Sequence, residues 1–174
     1  MRRMYQAFAM LAVLAATGST PADDKTAAES GLASLEPFVG EWEVNGNWSD
    51  GSRLQARSVY EWGLGKKILK ARTFGRKGDK EHQRYERVLA WHPEKKSLFE
   101  ISFAYDGGVS EFLIESKDKD TLHIGWMSFV PDKPSNVRQV IKFLDRDHFQ
   151  WVVSVKDGET WKQLIDATWT RKRK

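Results

Sequence analysis

Residues 53–62, which read RLQARSVYEW, alternate between two kinds of position. One set contains mainly apolar and aromatic side chains, and the other is polar or charged at most positions. The first set is Leu54, Ala56, Ser58, Tyr60 and Trp62. Because successive side chains of a β-strand point to opposite faces of a sheet, this period of two predicts a strand with that set turned inward. Turn residues lie on both sides of the segment, at Ser49-Asp50-Gly51-Ser52 and at Gly63 and Gly65.

The same rhythm runs through most of the chain after Glu41. About ten short alternating segments can be distinguished, separated by turn signals such as Asp106-Gly107-Gly108 and Asp157-Gly158. No stretch between them has helical periodicity, so parallel βαβ units are not expected. The sequence therefore predicts an all-β antiparallel sheet of about 8–10 strands that closes as a barrel, since closure removes the exposed edges. Only residues 23–39 favour helix, and there we expect one or two turns.

The first 22 residues have the pattern of a secretory signal peptide. Arg2 and Arg3 precede an apolar run from about Ala7 to Ala16, and small residues follow it. We therefore expect a mature domain at 23–174 that is periplasmic or secreted. The apolar run is too short to cross a bilayer, so no membrane span is expected. The chain has no cysteine, which excludes disulfides, thiolate metal sites, a cysteine nucleophile and a lipid-modified cysteine.

The formal net charge of +4 does not indicate a nucleic-acid-binding protein. Much of the basic excess lies in the last four residues, Arg171 to Lys174, which we expect to form a solvated end. The remaining basic residues are interleaved with acidic ones, so no basic patch is predicted and no nucleic-acid partner is expected. The sequence leaves the oligomeric state open.

The tripeptide Gly40-Glu41-Trp42, directly after the helical segment, resembles the G-x-W opening of lipocalin-like (calycin) proteins. With the strand ending at Tyr60-Glu61-Trp62, the pattern is most similar to exported bacterial lipocalin-like proteins of uncharacterised function. The resemblance implies a β-barrel in which the tryptophan packs across a closed end that the preceding turn plugs. Nitrobindin-type haem barrels are a related comparison, but their tyrosine-proline-threonine-isoleucine continuation is missing here. No histidine aligns with their haem ligand either, so no cofactor is expected.

Motifs for catalysis or metal binding are not found in the sequence. The four histidines, His82, His92, His123 and His148, do not have the spacing of zinc motifs, and we expect them at the surface. Neither a G-x-S-x-G nucleophile elbow nor a phosphate-binding loop occurs. We therefore predict no catalytic residue and no metal ligand.

Polar side chains in phase with the inward positions are the candidate ligand-binding residues. A buried polar group without a partner is costly, so such residues pair with one another or face a ligand. Several aromatic residues on the same predicted faces would supply apolar walls. The candidates are Ser58, Tyr60, Arg72, Tyr85, Arg87, Phe103, Trp126, Gln139, Trp151 and Gln163. The inward faces of the strands near 67–74 and 82–91 stay ambiguous, and a satisfied internal network is the alternative reading of these residues.

Three functions are compatible with these observations. The first is a non-catalytic exported barrel that binds a small apolar or amphiphilic molecule, an inward arginine favouring an anionic head group. The second is an enzyme on the same scaffold that uses an inward tyrosine or arginine. The third is an envelope protein-interaction module whose barrel is filled by its own side chains.

Overall fold

The computed structural model describes residues 21–118, 120–130 and 133–173. Helix α1 covers Pro21–Ala33, and a short 3-10 turn follows at Glu36–Phe38. Ten strands follow in the described residues: β1 Gly40–Asn47, β2 Arg53–Gly63, β3 Ile68–Lys77, β4 Lys80–His92, β5 Ser97–Ala104, β6 Val109–Asp118, β7 Thr121–Val130, β8 Lys133–Phe143, β9 His148–Asp157 and β10 Thr160–Arg171. The helix is thus longer than the one or two turns predicted. Most of the predicted signal peptide, residues 1–20, lies outside the described residues.

Each strand is antiparallel to its neighbours, and the sheet closes on itself. The strand order around the ring follows the sequence, and β10 pairs with β1 to complete it. The closing ladder sets Trp42 opposite Arg171 and Val44 opposite Trp169. The predicted all-β antiparallel barrel is therefore confirmed, with a strand number at the upper end of the predicted range. Within the described part of the chain, no helix is long and apolar enough to span a membrane.

The segment before β1 plugs one end of the barrel. Trp42 is completely buried, and its indole Nε1 donates a 2.7 Å hydrogen bond to the carbonyl of Phe38. The Phe38 ring packs against Tyr60, Phe143 and Phe149 at centroid distances of 4.8–5.7 Å. The burial of these rings makes this closed end a continuous aromatic core, as the resemblance to G-x-W proteins implied.

The basic C-terminus is docked on the closed end and is not solvated throughout. The Arg171 guanidinium lies 4.2 Å from the Trp42 ring centroid and donates to the carbonyls of Val39 and Pro37 at 2.5 and 2.7 Å. Lys172 pairs with Glu41 at 3.1 Å. The prediction of a solvated tail was wrong for Arg171, because the plug presents carbonyl oxygens that a guanidinium fork can satisfy, whereas Lys172 is exposed as expected.

The alternation identified the inward face of most strands correctly. On β3, where two choices were open, Leu69 and Ala71 are buried and Arg72 is exposed. The inward positions confirmed as buried or half-buried on other strands include Trp42, Val44, Ser58, Tyr60, Arg87, Leu89, Phe112, Ile114, Leu122, Ile124, Val137, Gln139, Ile141, Phe149, Trp151 and Val153.

Strand β5 has the opposite orientation to the predicted one. Phe99, Ile101 and Phe103 were expected inside, but Leu98, Glu100 and Ser102 are the buried residues of this strand. The neighbouring strands fix this register, since Glu100 lies opposite Leu89 on β4 and Phe112 on β6, both of which belong to the core. The sheet therefore turns the apolar face of β5 outward and its polar face inward.

A bulge reverses the phase of β10. Gln163 pairs with Ser154, but Ile165 pairs with Val153, so one extra residue is accommodated between them. Ile165 and the alternate residues after it face the core as predicted, while Gln163 and Trp161 lie on the outer face and are exposed. The prediction that Gln163 faces inward was wrong for this reason.

Candidate functional site

Strands β2 to β5 carry a group of polar side chains on the inner face of the barrel. We call Ser58, Tyr60, Thr73, Arg87 and Glu100 the Arg87 cluster. Cross-strand pairing brings these residues together, since Ser58 is opposite Thr73 and Glu100 is opposite Leu89, two positions along β4 from Arg87. Side chains two positions apart on a strand share a face, so the cluster forms one polar wall inside an otherwise apolar barrel.

Hydrogen bonds join Arg87 to two of its neighbours. Its Nη2 donates to the Tyr60 hydroxyl at 2.8 Å and to Thr73 Oγ1 at 3.2 Å. The Thr73 hydroxyl is also 2.8 Å from Ser58 Oγ. The guanidinium carbon lies 5.3 Å from the Tyr60 ring centroid, within the range of a cation–π contact. Three strands therefore hold this one arginine in place.

The charge of Arg87 is opposed by a buried carboxylate. Nη1 of Arg87 lies 3.7 Å from Glu100 Oε1, an ion pair that is longer than a hydrogen bond. The Glu100 side chain is only 4% exposed and that of Arg87 is 18% exposed. Burial raises the pKa of Glu100, and Arg87 offsets part of that rise. Burial also lowers the pKa of Arg87, but Tyr60 and Glu100 outweigh this effect and hold it above its ordinary value. The guanidinium is therefore always charged, whereas the pKa of the carboxyl group lies above its ordinary value.

One donor of Arg87 is not used. Its Nε is buried and has no hydrogen-bond partner in the described part of the structure. An unpaired buried N–H costs free energy, and natural structures retain few of them. The cluster thus presents a fixed guanidinium with one N–H for which the described residues supply no acceptor.

An aromatic wall faces the cluster from the other side of the ring. β9 is five places from β4 in the closed order of ten strands, so Trp151 projects from the wall opposite Arg87. Trp151 Nε1 donates a hydrogen bond to Gln139 Oε1, and its ring lies 6.1 Å from both Trp48 and Trp169. The interior therefore combines a polar, charged wall with an apolar aromatic one.

The structure brings several of the predicted site residues together and separates others. Ser58, Tyr60 and Arg87 belong to the cluster, and Tyr85 lies on the same face but is 42% exposed. Gln139 and Trp151 form part of the opposite wall.

Arg72, Phe103 and Gln163 were predicted on the inner face and lie on the outer one, which corrects their assignment. Arg72 pairs with Glu61 outside the barrel at 3.5 Å because Ala71 and Thr73 occupy the inner positions of β3. Phe103 and Gln163 lie outside because of the β5 register and the β10 bulge. The side chain of Trp126 lies outside the described residues.

Sequence reasoning missed Glu100 and did not single out Thr73. Glu100 was masked by the aromatic alternation at Phe99, Ile101 and Phe103, which favours the opposite face. The available signal was electrostatic, because an inward Arg87 needs a buried acid nearby and β5 offers Glu100 two residues before Ser102, the partner of Arg87.

Two clefts lie away from the cluster. One, of about 590 Å³, is between α1 and the ends of β4 to β6, with Gly31, Trp91 and Leu98 in its lining. Its charged residues Lys96, Glu115 and Asp118 already interact with other groups. A smaller one, of about 270 Å³, lies between β6 and β8. Neither contains a group as strongly desolvated as Arg87 or Glu100. Among the residues that the structure describes, no set of three His, Asp or Glu side chains could hold a metal ion.

Comparison with known proteins identifies the fold but not a family. No protein-family model matches the chain, and no curated protein matches it. The structure of Rv2717c from M. tuberculosis is similar, with a TM-score of 0.53 at 13% identity over 82% of this chain and 98% of that chain. The S-type phycobiliprotein lyase CPES from Guillardia theta also has a TM-score of 0.53, at 12% identity over 87% of this chain and 98% of that chain. These similarities show a shared lipocalin-like barrel.

Proposed function

We propose that this chain is an exported barrel that binds a small amphiphilic molecule, with an acidic or anionic head group at Arg87. The observation that carries the proposal is the buried guanidinium whose Nε–H has no acceptor among the described residues. The apolar part of the ligand would lie against the aromatic wall around Trp151. Apolar walls with a few fixed polar groups are typical of small-molecule sites in barrels.

The free Nε–H of Arg87 can take one acceptor oxygen of the head group. Nη2, the other donor on that edge of the guanidinium, is already committed to Tyr60 and Thr73. Nη1 lies on the opposite edge and faces Glu100 across 3.7 Å without a hydrogen bond. A ligand oxygen at Nε would therefore add a charge-assisted hydrogen bond and break none that Arg87 makes.

Glu100 sets the pH dependence of this binding. A second anion beside Glu100 would repel it, so an anionic ligand binds better once Glu100 is protonated. Burial has already raised the pKa of Glu100, which lowers the cost of that proton. We therefore expect affinity for an anionic ligand to rise as the pH is lowered through the raised pKa of Glu100, provided the ligand itself stays ionised.

Paired probes test the proposal. The chain from residue 23 is titrated with dodecanoate and with dodecanol, and quenching of tryptophan fluorescence is followed. We expect dodecanoate to bind at least about tenfold more tightly, in line with the strength of a charge-assisted hydrogen bond. An Arg87→Met/Glu100→Met double variant, which removes both charges, should lose this preference.

Arg72→Met is the matched control, since Arg72 is an arginine on the outer face of the neighbouring strand. It should bind both probes as the parent does. Equal affinity for the acid and the alcohol in the parent would contradict the proposal, and so would an equal loss of binding in the two arginine variants. Export is tested separately, by measuring the N-terminal mass of the protein recovered outside the cytoplasm.

A further inference from the structure

The outer face of β4 to β6 is apolar where a solvent-facing sheet is normally polar. Because β5 turns its polar side chains inward, Phe99, Ile101 and Phe103 lie on the outside. Residues beside them on β4 and β6 extend this surface. We call it the outer apolar face, and it consists of Val88, Ala90, Phe99, Ile101, Phe103, Val109 and Leu113, with the exposed Glu86 beside Phe103 at its edge. Phe103 is 47% exposed, Val109 57% and Leu113 42%. A contiguous patch of this kind on a soluble domain marks an interaction surface.

Charges of opposite sign border the two sides of this face. On the β3 side, Lys70 and Arg72 share the carboxylate of Glu61, each at 3.5 Å, and the exposed Glu86 lies opposite Arg72, so Lys70 is the basic group at the end of the row that contains Val88. On the β6 side lies Glu111, which is exposed and has no hydrogen bond or ion pair within the described part of the chain. Strand pairing places Lys70, Val88, Ile101 and Glu111 in one row across the four strands.

We propose that the outer apolar face binds a second copy of this chain, in a symmetric dimer whose two-fold axis runs parallel to the strands, between β4 and β5. Rotation about that axis inverts the order of the strands in the facing copy. Lys70 of one copy then lies opposite Glu111 of the other, and the apolar rows face one another. A two-fold interface must be self-complementary, and the row from Lys70 to Glu111 has this property.

The border charges favour a protein copy over a lipid surface. An anionic membrane would attract the Lys70 border but repel Glu111 on the opposite border. The second copy satisfies both borders with the same contact made twice. Complementary charges at the rim of an interface determine orientation more than affinity, as expected of residues flanking an apolar centre.

The size of the face indicates a weak, reversible dimer. With its two charged borders the face spans four strands, β3 to β6, which lie about 4.8 Å apart. Three rows of outward side chains along these strands cover on the order of 400 Å² per copy. This is about half of the footprint of a standard interface, which is roughly 800 Å² per partner. The dimer should therefore form in the micromolar range and dissociate on dilution.

Sedimentation equilibrium of the chain from residue 23, from low micromolar to near-millimolar concentration, tests the proposal. We expect a monomer–dimer equilibrium in the parent. Phe103→Glu should raise the dissociation constant by at least about a hundredfold, because it buries an unpaired charge. Leu144→Glu is the matched control, since Leu144 is 53% exposed in the turn between β8 and β9, and it should leave the equilibrium unchanged.

A charge exchange tests the orientation of the two copies. Lys70→Glu and Glu111→Lys should each weaken the dimer by roughly tenfold, and the double variant should restore it, because the opposed pair is re-formed with its signs exchanged. A parent that stays monomeric at the highest concentration would overturn the proposal. A dimer that survives Phe103→Glu, or a double variant no tighter than the single ones, would overturn it as well.

Discussion

Replacement of Arg87 by methionine removes the positive charge that faces Glu100 inside the barrel and leaves the carboxyl group buried. At an effective dielectric constant of about 20, two unit charges at the observed 3.7 Å attract one another by roughly 4.5 kcal/mol. The carboxyl group has a less costly alternative, because it can take up a proton. At pH 7 protonation costs about 3.7 kcal/mol for a glutamate with an ordinary pKa of about 4.3. This cost is therefore the upper limit on the stability that Arg87→Met loses through the unpaired carboxyl group.

The expected loss is somewhat smaller than this limit. Burial has already raised the pKa of Glu100 in the parent, so part of the cost is present before the substitution. We expect Arg87→Met to lower the free energy of unfolding by about 2–3 kcal/mol at pH 7, at or just below the roughly 3–5 kcal/mol that breaking a buried ion pair usually costs. Arg87→Met/Glu100→Met should recover most of this loss, since no unpaired charge remains.

The sign of the pH dependence follows from the raised pKa of Glu100. The folded protein keeps the proton of Glu100 to a higher pH than the unfolded chain does. The contribution of this group to stability is therefore fully present below its unfolded pKa of about 4.3. It falls as the pH rises through the folded pKa, by up to about 1.4 kcal/mol per unit. Without Arg87 the folded pKa is higher still, so the fall extends over a wider pH range than in the parent.

Urea unfolding followed by tryptophan fluorescence at several pH values measures both effects. Arg72→Met provides the control for loss of an arginine side chain, and should change stability by less than about 1 kcal/mol because its ion pair is exposed. The reasoning would be refuted if Arg87→Met lost as little stability as Arg72→Met does. It would also be refuted if the difference in free energy of unfolding between Arg87→Met and the parent did not grow with pH. A double variant less stable than Arg87→Met would do so too.

Three further substitutions test the packing described above. Trp42→Phe removes the hydrogen bond to the Phe38 carbonyl and part of the buried ring, and should lower the free energy of unfolding by about 2–4 kcal/mol in a denaturant titration. A loss below about 1 kcal/mol would show that the plug does not depend on this indole. Arg171→Met removes the hydrogen bonds to two backbone carbonyls and should lower the free energy of unfolding by about 1–3 kcal/mol, which is measured as a reduced Tm. An unchanged Tm would contradict docking of the C-terminus. Gln139→Leu leaves the Trp151 N–H without its acceptor, so it should lower the free energy of unfolding by about 1–2 kcal/mol and shift the tryptophan emission. Identical emission spectra of variant and parent would argue against that hydrogen bond.

The sequence predicted the barrel because most strands obey a simple period of two. Where core side chains alternate with charged ones, as along β2, the inward face follows directly from burial. Strand β5 was assigned the wrong face, since the alternation of Phe99, Ile101 and Phe103 favours turning these apolar side chains inward. Its register is decided by Leu89 and Phe112 on the neighbouring strands, a non-local constraint that periodicity within one strand does not contain.

The candidate site was predictable in part for the same reason. Ser58, Tyr60 and Arg87 fall in phase on strands whose faces were assigned correctly, whereas Glu100 lies on the inverted strand. Gln163 was misplaced because a bulge adds one residue without any glycine or proline to mark it. Bulges and buried ion pairs both depend on partners distant in the chain, and a pattern of neighbouring residues does not specify them.

Closure of the ring by its first and last strands has a consequence for how the chain folds during synthesis. The hydrogen bond from Arg171 to Val39 joins residues separated by 132 positions, and β10 is the last element to be made. A nascent chain that ends before Thr160 has two unpaired strand edges and lacks the Arg171 clamp, so the native ring forms only after β10 has been synthesised. Until then the open sheet is exposed to aggregation, and chaperone binding or dilution should raise the yield of folded protein.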